Sequence, residues 1–186
     1  MTATRDRIFA WVGVIVAAVS AVALSGAVII QQVIDSHNAA QQSAATTAAQ
    51  AAQAACTDKT TESTLSAPEP YVPSGTVSGL QATDLVAGTG VAAKAGDCLV
   101  VKYYGMLASN GQRFDDNFSN TSGFAFLVGQ GQVIQGWDQG LIGMKVGGTR
   151  RLVIPASLAY GSQSPSPSIP ANSDLVFVVK LLRIQQ

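Results

Sequence analysis

A chain of 186 residues has room for one domain of ordinary size plus attachments, and two large domains do not fit. Eleven Lys and Arg balance eleven Asp and Glu, so neither a basic nucleic-acid surface nor an acidic tail is present. Charged residues make up only 12% against a typical quarter or so, which requires a strongly apolar stretch, and that stretch lies at the start.

From Ile8 to Ile30 the chain carries no charge, and none follows until Asp35. At about 1.5 Å per residue this run spans a hydrocarbon core of about 30 Å. Residues 8–34 are therefore expected to form a single transmembrane signal-anchor. A cleavable signal peptide is the competing reading, since Ala21-Val22-Ala23 and Ser25-Gly26-Ala27 offer small-x-small sites, but Ala27 to Ile30 carries the apolar run past both. Arg5 and Arg7 precede the segment while Asp35 and His37 follow it, which puts residues 1–7 in the cytoplasm. The expected location is a single-pass cell-membrane protein with its domain on the extracytoplasmic side.

Residues 35–75 read as an Ala/Gln/Thr/Pro-rich stalk. Ten of the seventeen residues in 39–55 are Ala, which favours local helix, but no large side chain there has anything to bury. Pro68, Pro70 and Pro73 then keep the chain extended. The folded domain is expected over 76–186, with eight Lys and Arg against six Asp, a near-neutral body without a steering field. Cys56 and Cys98 would both lie outside the membrane, where a disulfide persists. The rival reading makes Cys98 a small buried strand residue and leaves Cys56 free.

Period-two patterning dominates the domain. After a short strand-like run before Gly88, the stretch 97–107 places Leu99, Val101, Tyr103 and Leu107 on one face and Lys102 and Tyr104 on the other. Asn110-Gly111, which tolerates positive φ at both turn positions, predicts a hairpin returning over 112–116. Further strands are expected at 123–128, 149–154 and 174–184, mostly antiparallel because the connections are short. The one helical candidate, 133–144, sets Ile134, Trp137, Leu141 and Met144 on one face. A sheet curled around one short helix is an α+β architecture.

Much chemistry is absent. The single histidine, His37, lies in the stalk, so the domain has none to orient a nucleophile or bind zinc. Gly88-Thr89-Gly90-Val91-Ala92-Ala93 matches a dinucleotide fingerprint, but a new strand arrives where the helix would have to open, which makes it a turn. Asn117-Phe118-Ser119 and Asn120-Thr121-Ser122 are formal glycosylation sequons of low specificity. Asp115-Asp116 has too few neighbouring oxygen donors for a metal. What stands out is aromatic: Tyr103, Phe114, Phe124, Phe126, Trp137, Tyr160 and Phe177 exceed the need of so small a core, and a lined pocket follows as the alternative to plain filling.

Val101-Lys102-Tyr103-Tyr104-Gly105-Met106-Leu107, then Gly111-x-x-Phe114-Asp115, Phe124-Ala125-Phe126-x-Val128-Gly129 and Val133-Ile134-x-Gly136-Trp137-Asp138-x-Gly140-Leu141 occur in order. Met144-x-Val146-Gly147, Leu152-Val153-Ile154-Pro155, Leu158-Ala159-Tyr160-Gly161, Ile169-Pro170 and Leu175-Val176-Phe177 follow. This pattern, over about residues 80–184, closely resembles the FKBP-type peptidyl-prolyl cis/trans isomerases. The resemblance implies a curved antiparallel sheet of five or six strands around one short helix, preceded here by the transmembrane segment. It also implies a proline pocket with Trp137 as floor, Tyr103, Phe124, Phe177, Val133 and Ile134 as walls and Phe114 beside them. Asp115 and Tyr160 would stand at the rim, and Ile169 would close it; Tyr103, Phe114, Asp115 and Tyr160 are the expected catalytic residues. The loop 161–168 departs from many relatives by its added serines and prolines. The implied activity is acceleration of X-Pro isomerisation during folding of exported proteins, without cofactor or metal. The implied partners are proline-containing polypeptides, macrolide inhibitors and the membrane through 8–34, with no nucleic acid. The alternative is a non-catalytic module that grips proline segments.

Overall fold

The computed structural model describes residues 35, 38–39, 41–48, 50–58, 61 and 63–185. The apolar segment 8–34 lies outside these residues, and among the described ones no helix is long and apolar enough to cross a membrane. The chain divides into two units, 1–51 and 52–186. In the first, residues 41–48 are helical and exposed, as an Ala-rich stretch without large side chains dictates.

Among its described residues the second unit holds six strands and, within the sheet-forming part, one α-helix and a short 3-10 turn at Ala156–Leu158: β1 (Gln81–Val86), β2 (Cys98–Leu107), β3 (Arg113–Asp116), β4 (Phe124–Leu127), α1 (Gln135–Gly140), β5 (Thr149–Ile154) and β6 (Leu175–Gln185). They form one sheet in the order β1-β5-β6-β2-β3, with every pair antiparallel. The long pair β2–β6 is its spine, running from Cys98 opposite Gln185 to Leu107 opposite Leu175. The short strand β4 pairs only with the first half of β2, placing Phe124 opposite Val101 and Leu127 opposite Cys98. Register shifts in β1, β2 and their partners are bulges that increase twist and bend the sheet.

Alternation along the strands sorts two apolar layers. Leu99, Val101, Phe126, Leu152, Ile154, Leu175, Val179 and Leu181 form the inner layer with Trp137 of α1 and Leu141 just after it. Glycine brings the helix close: a Cβ on Gly136 would meet Ile154 Cγ2 at 2.4 Å. The outer face is buried too, for Met106, Val153, Val176 and Val178 pack with Val77 and Phe118 under half-buried Leu65 and Tyr71. Tyr71 also takes the Arg151 guanidinium 3.6 Å above its ring.

Several expectations change. The folded unit begins at Ala52, not near Thr76, because the Pro-rich stretch lies along the outer face instead of standing off it. Lys102, on the strand face opposite Leu99 and Val101, is wholly buried, and its Nζ donates to the carbonyls of Asn117 and Asn120. The helix covers six residues rather than 133–144, since Gly140 and Gly143 weaken its end and Gly143 takes φ +77°. The hairpin after β2 is wider than a two-residue turn: Leu107 N–H donates to Gln112 O, and of Asn110 and Gly111 only Gly111 has positive φ. Asn110 instead accepts from the Gln112 N–H through its side chain at 2.9 Å. Cys56 and Cys98 are joined, with S–S 2.10 Å and Cα atoms 5.5 Å apart.

Candidate active site

A cavity of about 220 Å³ opens on the inner face, lined by Tyr103, Phe114, Asp115, Phe124, Gln132, Val133, Ile134, Trp137, Tyr160 and Phe177. Strands supply the walls. Tyr103 comes from β2, Phe114 and Asp115 from β3, Phe124 from β4 and Phe177 from β6. Trp137 rises from α1 and is 4% exposed.

The indole is caged by rings. Tyr103, Phe124 and Phe177 meet it edge-on at centroid distances of 5.5, 6.3 and 5.2 Å, and Phe126 lies tilted at 5.5 Å. Edge-to-face contacts of this kind contribute about 0.5–1.5 kcal/mol each beyond burial, so they hold the indole in place. Phe114 stands edge-on to Phe177 at 5.5 Å. Gly105 makes room for that pair, because a Cβ there would meet both rings at 2.8 Å.

Polar groups sit at the rim. Tyr103 donates its hydroxyl to Asp115 Oδ2 at 2.8 Å. Burial first, then this hydrogen bond, raises the Tyr103 phenol well above its ordinary pKa of 10.0. Burial and the Asp115 charge likewise raise Tyr160. Both phenols keep their protons through neutral and mildly alkaline pH. The sign of the linkage follows: whatever stability they contribute is intact below about pH 10 and is lost as pH rises through their folded-state values. If the site turns over prolyl peptides, kcat/KM should stay level from pH 7 to about 10. A pH profile that falls with a midpoint near 8 or 9 would contradict this.

The structure brings together all the expected site residues except Ile169, which is 6% exposed within the inner layer and off the cavity wall. Sequence reading missed three supports. Gln132 lines the cavity and accepts the Leu127 N–H at 3.0 Å. Asp138 accepts from the N–H groups of Gly129 and Gly131 at 2.8 Å, tying the loop before Val133 to α1. The spacing of an Asp seven and nine residues after two glycines was the available signal. Asn117 is buried, accepts the Tyr103 N–H at 2.7 Å and donates to Val101 O, so its sequon is occupied by the fold.

The fold and site define an α+β domain with a small cavity lined mainly by aromatic and aliphatic side chains, with Asp115, Gln132 and two phenols among them. A family model described as FKBP-type peptidyl-prolyl cis-trans isomerase matches residues 90–182, and the chain belongs to this family. It is 52% identical over 109 residues, 59% of this chain and 21% of the other, to FK506-binding protein 4 of Gibberella zeae. It is 46% identical over 107 residues to the 46 kDa FK506-binding nuclear protein of Spodoptera frugiperda, covering 58% of this chain and 26% of that one. A solved structure described as AtFKBP13 superposes with TM-score 0.53 at 36% identity, covering 58% of this chain and 94% of that chain. The matched region thus spans about a quarter of the curated relatives' length.

The expected cell-membrane location, with an extracytoplasmic domain and the membrane as partner, is corrected by these findings. Among the described residues no helix is long and apolar enough to cross a membrane, and a relative of the domain is named a nuclear protein. The physical reason is that length and hydropathy of a run report its capacity to partition into lipid and do not by themselves fix where the attached domain resides.

Proposed function

We propose that the domain is a working peptidyl-prolyl cis/trans isomerase acting on X-Pro bonds of polypeptide segments. The observation that carries this reading is the ring-caged indole at the floor of a cavity too small for a large ligand and fit for one pyrrolidine ring.

Rotation about X-Pro crosses a barrier of about 18–20 kcal/mol because amide resonance must be broken. Uncatalysed, this takes tens to hundreds of seconds. No covalent bond to the protein is needed, only tighter binding of the twisted amide than of either planar isomer. Twisting withdraws resonance charge from the carbonyl oxygen. An aromatic cavity that strips water from this oxygen therefore destabilises the planar, more polar form. Each tenfold acceleration needs about 1.4 kcal/mol of such discrimination. The proline ring packs on Trp137, while the Ile134 N–H and the Tyr160 hydroxyl hold the flanking carbonyls.

Asp115 acts as the acceptor that orients Tyr103. Asp115→Asn keeps an oxygen for that bond and should retain kcat/KM within about threefold, while Phe114→Ala should lower it by about tenfold or more. Rates in the reverse order would assign Asp115 the electrostatic role. FK506-type macrolides, which the relatives' names mention, should inhibit by inserting one ring into the same cavity while the rest of the molecule stays outside. Protease-coupled isomerisation of prolyl peptides by the full chain tests the proposal. Binding without acceleration would support the alternative, a module that grips proline segments without turnover.

A further inference from the structure

The short segment Cys56–Asp58 precedes the region the family model matches, yet it touches the strand that carries a cavity wall. Asp58 has a side chain only 4% exposed. One carboxylate oxygen accepts the N–H of Gly123, the residue before β4, at 2.5 Å, and the other pairs with Arg183 on β6. Two residues earlier, Cys56 is bonded to Cys98, which pairs with Leu127 at the far end of β4. Thr57 O accepts from Gln185 Nε2 between them.

β4 needs such support. It is four residues long, pairs with β2 alone, and displays Phe124 40% exposed at the cavity. A four-residue edge strand with one neighbour is a segment of low local stability. Cys56 and Leu127 bury one end of its outer face, and Asp58 fixes the other end next to the wall residue. Close packing leaves little slack there, for a Cβ on Gly123 would meet Val100 Cγ1 at 2.6 Å and Asp58 Oδ2 at 2.9 Å.

We propose that Asp58 is a positioning residue for the prolyl cavity: through the Gly123 N–H it holds the start of β4 so that Phe124 stands against the substrate ring. This rests on the isomerase reading above. Phe124 contacts the ring in planar and twisted forms alike, so loss of the brace weakens both equally and raises KM with little change in kcat.

The test uses the full chain with Trp11→Phe, which leaves Trp137 as the sole indole. In that background Asp58→Ala should raise KM three- to tenfold with kcat within twofold. Asp58→Asn keeps an acceptor for Gly123 and should restore KM to within twofold of the parent. Arg183→Gln breaks the ion pair but leaves the Gly123 bond, so it should lower the melting temperature while KM stays put. An unchanged KM in Asp58→Ala, or an equal KM rise in Arg183→Gln, would overturn the proposal by reducing Asp58 to a stability role. Should Asp58→Ala fail to fold, Gly123→Ala, which displaces the same contact, must raise KM in the same range or the proposal falls. Prolyl-peptide Kd read from Trp137 fluorescence separates the two levels. A parent chain without turnover ends the isomerase reading, while the ratio of variant to parent Kd still decides the brace.

Discussion

Replacing Trp137 by Ala should lower kcat/KM for prolyl-peptide isomerisation by about a hundredfold or more, corresponding to about 2.7 kcal/mol or more of lost transition-state stabilisation. The indole is the cavity floor and the shared partner of four rings, so its removal both deepens the cavity and frees Tyr103, Phe124, Phe126 and Phe177 to collapse inward. Truncating a buried Trp also costs about 3–5 kcal/mol of stability. Rates must therefore be compared well below the melting temperature of the variant, with folding checked by circular dichroism. Trp137→Phe keeps an aromatic floor and should lose closer to tenfold. A folded Trp137→Ala protein with activity near the parent's would remove the ground for placing the proline ring on the indole.

Removing the Cys56–Cys98 bond by paired Ser substitution should lower unfolding free energy by about 2–4 kcal/mol. The bond closes a separation of 42 residues, long enough for the unfolded chain to gain substantial entropy when it is cut. The native state also loosens, since this bond anchors the segment whose Leu65, Tyr71 and Val77 cover the outer apolar layer. Urea unfolding of the full chain should show the drop, and the parent protein in reductant should match the double variant. A change below about 1 kcal/mol would mean that the outer packing alone holds the segment.

Much of the fold is legible in the chain because strand alternation has a fixed period of two, so Leu175, Phe177, Val179 and Leu181 declare one face whatever lies beyond it. The same rule put Lys102 on the opposite face but could not show that this face is buried too, where its Nζ meets the carbonyls of Asn117 and Asn120, fifteen and eighteen positions on. Local periodicity also lengthened the helix, because Met144 and Ile134 sit at helical spacing while Gly143 and the extended Ile134 backbone end it. Nine of the ten cavity residues were named from the resemblance. Gln132 was not, since a Gln in a loop shows its role only through the distant N–H it meets.

By itself, the chain determined an α+β domain, its strands, its aromatic inventory and its family, for these depend on residue type and near-neighbour order. Tertiary structure alone decided where the folded unit begins, that the two cysteines meet, that Lys102 is buried and that Asp58 reaches Gly123. Each of these is a pairing between residues far apart along the chain, and only the three-dimensional packing of the sheet selects which distant groups come within bonding distance.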